Sequence, residues 1–108
     1  MTVEKFAENF KYESLCIPDP NREICGGYAG DLLSWVMGKL GEGEAWVTIM
    51  SNINIVAVAT LADPACVILS EGVCPEEGVL ERARLQGVNM LRTVKTTFEV
   101  CADIKATL

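Results

Sequence analysis

A chain of 108 residues with half of its residues apolar and 22% charged is long enough to bury one core without disulfides or a structural metal, and too apolar for a disordered tail. Nine basic against fifteen acidic residues leave a net charge of -6 with no Lys or Arg run, which argues against a nucleic-acid partner. The most apolar region, residues 53–69, is broken by Asn54, Thr60, Asp63 and Pro64, and residues 1–10 have no signal-like hydrophobic stretch, so the expectation is one soluble cytoplasmic domain over residues 1–108 that avoids the membrane.

In chain order, Val3, Phe6, Ala7 and Phe10 fall on one helical face with Thr2 placed to cap it, predicting a helix over Val3 to Phe10. Tyr12 to Ile17 reads as a strand, closed by the turn-forming Pro18-Asp19-Pro20-Asn21. Ile24 and Cys25 form a brief extended piece before a glycine-rich loop, Gly26 to Gly30, and Asp31 is a good cap for a helix running to about Leu40, ended by Gly41 and Gly43. Ala45 to Met50 has the continuous apolar character of a strand covered on both faces. Ser51-Asn52 then caps a helix from about Ile53 to Ala62, which Asp63-Pro64 stops.

Cys66 to Leu69 is the next buried strand. Pro75-Glu76-Glu77, a proline followed by acids, opens a helix to about Gln86, with Gly87 beyond its end. Val88 to Leu91 is a further core strand, and Thr96 caps a last helix to about Ala106. Four strand-then-helix units in succession predict an α/β fold: a three-layer, mainly parallel sheet with helices on both faces and right-handed crossovers. Periodicity leaves the strand order open.

In such a sheet, ligands collect where strand ends run into helix N-termini. Candidate ligand-binding residues are Gly26, Gly27 and Gly30, Ser51, Asn52 and Asn54, Ser70, and Thr93, Thr96 and Thr97, with Lys95 and Arg92 as available cations. Each has a plainer alternative: Gly26 to Gly30 matches neither the dinucleotide fingerprint nor a P-loop, Asp31 stands where a phosphate would sit, and the Ser, Asn and Thr residues suit turns and caps. No His is present, and the five cysteines, Cys16, Cys25, Cys66, Cys74 and Cys101, contain no CxxC pair. The expectation is therefore buried or half-buried thiols, with Cys74 before Pro75 the one most open to solvent, and no metal, no cofactor and no catalysis.

The helix from Ile53 to Ala62 has almost no polar face, and Asp31 to Leu40 is broadly apolar too. Two such helices exceed what one side of a small sheet hides. That predicts a homodimer, with Trp35, Val36, Ile55, Val56, Val58 and Ala59 at the contact; the alternative is that one helix buries the other's excess.

Several segments together resemble the DRTGG domain family. They are Val67 to Val73, Pro75-Glu76-Glu77, Val79-Leu80, Ala83, Gly87-Val88, Leu91, Thr93 and Thr96 to Glu99, joined by Gly26-Gly27-Tyr28, Asp31 to Ser34 and Ala45 to Ile49 from the first half. The resemblance implies a short stand-alone member with a fold similar to the N-terminal domain of HPr kinase/phosphorylase, and a regulatory or assembly role. Members of the family sit beside CBS domains in regulated pyrophosphatases and in some phosphate acetyltransferases, often at dimer interfaces, and stand-alone members accompany iron-only hydrogenase systems. This chain departs from the usual pattern at Ser51-Asn52-Ile53, in place of an acidic-basic pair, and at Ser70-Glu71-Gly72, in place of Thr-Gly-Gly. Three functions remain open: a regulatory or protein-interaction module, a small-anion or nucleotide-binding protein, and an enzyme using carboxylates or the Cys74 thiol.

Overall fold

The structure, a computed structural model, describes all residues 1–108. It contains five strands, β1 (Glu13–Cys16), β2 (Gly26–Ala29), β3 (Glu44–Thr48), β4 (Cys66–Leu69) and β5 (Met90–Arg92), and five helices, α1 (Val3–Phe10), α2 (Leu33–Lys39), α3 (Asn54–Ala62), α4 (Val79–Gln86) and α5 (Thr97–Ala106). The strands form one sheet in the order β1-β5-β4-β3-β2. Strands β2 to β5 pair in parallel, while β1 pairs antiparallel with β5. The expected mainly parallel α/β sheet is what forms.

Side-chain alternation along the inner strands divides the core into two layers. Trp46, Val67, Leu69 and Met90 point to the side packed by Val36 of α2, Ile55, Val56, Val58 and Ala59 of α3, and Val79 and Ala83 of α4. Ala45, Val47, Cys66, Ile68 and Leu91 point to the other side, packed by Val3, Phe6 and Ala7 of α1 and Val100 and Ile104 of α5. Helices thus cover both faces, as expected. No helix is long and apolar enough to cross a membrane.

Local signals are obeyed where the cap partners are near in sequence. The Thr2 side chain accepts from the Lys5 N–H, and Thr96 forms a full capping box with Glu99. Elsewhere the structure corrects the expectation. The glycine segment is not a loop: Gly26 to Ala29 is edge strand β2, in register with Glu44 to Val47. A backbone ladder needs no side chains, and at Gly27 a Cβ would stand 3.0 Å from Ile104 Cγ2 of the overlying α5, so a larger residue would need that side chain to give way. Asp31 does not cap α2, whose N-cap is Leu32 with no side-chain bond. Helix α4 starts at Val79, four residues after Pro75, because Gly78 takes a left-handed conformation, φ 86°, which a right-handed helix running on from Pro75 could not contain.

The α3 helix is not buried all round. Ile55, Val56, Val58 and Ala59 face the sheet, whereas Ile53, Ala57 and Leu61 are exposed, Leu61 at 74%. Consequently five of the six residues expected at a subunit contact, Val36, Ile55, Val56, Val58 and Ala59, lie inside this chain's own core. Only Trp35, 59% exposed, stays outside. The excess apolar surface of these helices exists, but it is carried by other residues.

Candidate functional site at the carboxyl edge of the sheet

The parallel strands end together at one edge, where the segments after β3, β4 and β5 lie side by side. Backbone bonds stitch them: the Ser70 N–H donates to the Thr48 carbonyl, Gly72 N–H to Thr93, and Glu71 N–H to Lys95. Ser51, Ser70, Thr93, Thr96 and Thr97 all come to this edge, and Gly30 reaches it at the end of β2. Gly26 and Gly27 do not. Paired with Glu44 and Ala45, the first residues of β3, they sit at the opposite, amino edge.

The polar groups at the carboxyl edge are committed to one another. Ser70, completely buried, shares a 2.7 Å hydrogen bond with the Thr97 hydroxyl. The Thr93 hydroxyl accepts from the Lys95 N–H, and the Thr96 hydroxyl caps α5. Ser51 donates to a Glu76 carboxylate oxygen at 3.2 Å, and the Asn52 side-chain oxygen accepts from the Asn54 N–H, an Asx turn that leads into α3. The Asn54 side chain is exposed. The plainer turn-and-cap account therefore describes Asn52, Thr93 and Thr96, whereas Ser51 does not cap the helix it was expected to open: it bonds Glu76, and α3 has Ile53 as its N-cap with no side-chain bond.

Three carboxylates take up hydrogen-bond donors at this edge. Glu71 accepts from the Thr97 N–H at 2.8 Å, at the first turn of α5, where free N–H groups and the helix dipole favour negative charge. Glu71 holds that position in a left-handed backbone conformation, φ 60°, which is costly for a residue with a Cβ. Asp31 accepts from the Thr48 hydroxyl at 2.8 Å and from the Ile49 N–H at 2.9 Å, closing the end of β3. Glu76 accepts from Ser51. Periodicity offered no signal for Glu71; for Asp31, the clue was an acid directly after the glycine-rich segment, where a phosphate would sit.

The two cations are also engaged. Arg92 donates to the Gly72 and Val73 carbonyls and to Glu13, while Lys95 pairs with Asp103 at 2.7 Å and donates to the Phe10 carbonyl at the end of α1. The Tyr12 hydroxyl donates to the same Asp103 oxygen at 2.8 Å. Burial, and then that carboxylate, push the Tyr12 phenol far above its usual range. Burial pushes the Cys66 thiol up to about 12 and raises Cys16 and Cys101, whereas Cys25 and Cys74 are exposed.

None of the cavities is lined by Ser51, Asn52, Ser70, Thr93, Thr96 or Thr97. Gly27 lines a cavity of about 210 Å³ between β2 and the end of α5, with Tyr28, Cys101 and Ile104 among its walls. Asn54 lines one of about 450 Å³ between α3 and α4. No group of three Cys, Asp or Glu side chains converges as metal ligands would.

The sequence profile of the DRTGG domain matches residues 29–107. No curated protein matches this chain. Among solved structures, the crystal structure of the CBS and DRTGG domains of the regulatory region of Clostridium perfringens pyrophosphatase, complexed with its activator diadenosine tetraphosphate, is similar with a TM-score of 0.73 and 14% identity. The likeness covers 99% of this chain and 47% of the other, so the chain spans about half the length of that regulatory region. At this identity the likeness speaks for the fold.

Proposed function

Because this chain belongs to the DRTGG domain family, we propose that it is a non-catalytic regulatory module that acts by associating with a second copy of itself. The observation that carries this reading is the apolar surface left on one helical layer. Of the ten large apolar side chains that stay exposed, six belong to that layer, Leu32, Trp35 and Met37 on or beside α2, Ile53 and Leu61 at α3, and Leu85 on α4, while Ile49, Val94, Phe98 and Leu108 lie elsewhere. Large apolar side chains gathered on one side of a small domain mark a contact surface more often than a solvated one. Sedimentation velocity from low to high micromolar concentration tests the reading. A concentration-dependent dimer supports it, and a monomer throughout refutes it.

A second reading, sensing of a small anionic ligand such as a nucleotide, draws on the regulatory region similar in fold, whose crystals contained diadenosine tetraphosphate. In this chain such a ligand would have to displace the Glu71 carboxylate from the α5 N-terminus. Calorimetric titration with diadenosine tetraphosphate and with inorganic phosphate separates the two readings. Heat of binding favours sensing, and its absence at millimolar ligand leaves self-association as the mode of action. In either case the single domain over residues 1–108 contributes binding, with chemistry left to other proteins.

A further inference from the structure

The outer stripe of α4 is complementary to its own reverse. Gly78, the left-handed N-cap of α4 (φ 86°), and Glu81, Arg82 and Leu85 of the helix itself stand at i, i+3, i+4 and i+7, and with Ile53 they line an open cavity of about 330 Å³. All four are exposed, Leu85 at 75%. Nothing lies within 4 Å of where a Cβ on Gly78 would be, so the glycine leaves a gap in the stripe. Glu81 and Arg82 take part in none of the chain's ion pairs, which join Glu23 to the amino terminus, Arg22 to Asp63, Arg92 to Glu13 and Lys95 to Asp103. Being sequence neighbours, they cannot satisfy each other.

Read in the opposite direction, the stripe places the leucine against the gap and the base against the acid. A two-fold contact demands this property, because residue i must meet j while j meets i. We propose that α4 packs antiparallel on α4 of a second copy, about a two-fold axis passing between positions 81 and 82. Leu85 then fills the gap at Gly78 of the partner subunit, Glu81 pairs with Arg82 of the partner subunit, and both contacts occur twice. Ile53 and Leu61 of α3 flank the crossing along the adjoining cavity, which shares Ile53 and Arg82 with the first.

Charge favours this face over the carboxyl edge. Two copies at -6 each repel, so they meet most easily where local charges cancel, as Glu81 and Arg82 do; the carboxyl edge carries Asp31, Glu71 and Glu76 instead. This inference rests on the self-association proposed above and specifies its surface.

Charge reversal provides the test. Glu81→Arg or Arg82→Glu alone sets like charges opposite each other at two places and weakens the dimer about tenfold by sedimentation equilibrium, rim pairs being individually small. An equimolar mixture of the two variants restores association, because the first then presents two bases to the two acids of the second; the double variant E81R/R82E restores it within one chain. Unchanged circular dichroism confirms that these exposed positions leave folding intact. If the wild type dimerises but the reversals neither weaken nor rescue it, the α4 contact is wrong while self-association stands. A wild type that is monomeric at every concentration overturns both.

Discussion

Replacing Cys66 by alanine should make the protein less stable at neutral pH and more stable at alkaline pH. Cys66 lies in β4, completely buried among Ala45, Ile68 and Leu91, and burial alone raises its thiol from 9.0 to about 12. The raised value fixes the sign: the folded state keeps a proton that the unfolded chain gives up, so the contribution is intact below pH 9 and is lost as pH rises toward 12. The slope is about 1.4 kcal/mol per pH unit, which amounts to roughly 2 kcal/mol by about pH 10.5. Alanine removes this titration but leaves the space of one sulfur, costing about 1 kcal/mol in a closely packed core. The two stabilities should therefore cross, with the wild type ahead by about 1 kcal/mol near neutrality and the variant ahead by about as much at about pH 10.5. Urea unfolding of both proteins with a thiol reductant present measures the crossing. Tyr12, Cys16 and Cys101 also titrate upward, but they are common to both proteins and cancel. Parallel loss of stability in the two proteins would refute the reasoning, because Cys66 would then ionise as readily folded as unfolded.

Asn89 is buried and holds three backbone groups, donating to the Asp19 and Ala65 carbonyls and accepting from the Asp19 N–H. Asn89→Ala should cost about 3 kcal/mol and lower the melting temperature by more than ~10 °C in calorimetry. Asp103→Ala strips both the Lys95 ammonium and the Tyr12 hydroxyl of a partner, and a loss of about 2 to 3 kcal/mol is expected in urea, with Tyr12→Phe losing roughly half as much. Glu71→Gly relieves the left-handed backbone while giving up the contact at the α5 N-terminus, so its stability should stay within ~1 kcal/mol of the wild type; Glu71→Ala keeps the strain and should be the weaker of the two by about 1 kcal/mol. A thiol reagent applied to the native protein should modify Cys25 and Cys74 rapidly and Cys101 slowly, reaching Cys16 and Cys66 only after denaturant is added.

The α/β class, the run of buried strands at β3 and β4, the caps at Thr2 and Thr96 and the stop at Gly87 were legible in the sequence alone. Each is a local matter, decided by side-chain periodicity or by a hydroxyl reaching three residues along the chain. Tertiary structure decided the rest. Gly26 and Gly27 became an edge strand because β3 offered its backbone, a pairing that no glycine signals. Asp31 left the helix it was expected to cap because Thr48 and Ile49 offered it two donors from the end of another strand. The same holds for the exposed apolar surface: composition showed that α2 and α3 were too greasy for one side of a sheet, yet the sheet's placement chose Val36, Ile55, Val56, Val58 and Ala59 for the core. Trp35, Leu61 and Leu85 remained for the outside because a helix beside a sheet hides only the arc that faces it, and the direction of that arc depends on residues distant in sequence.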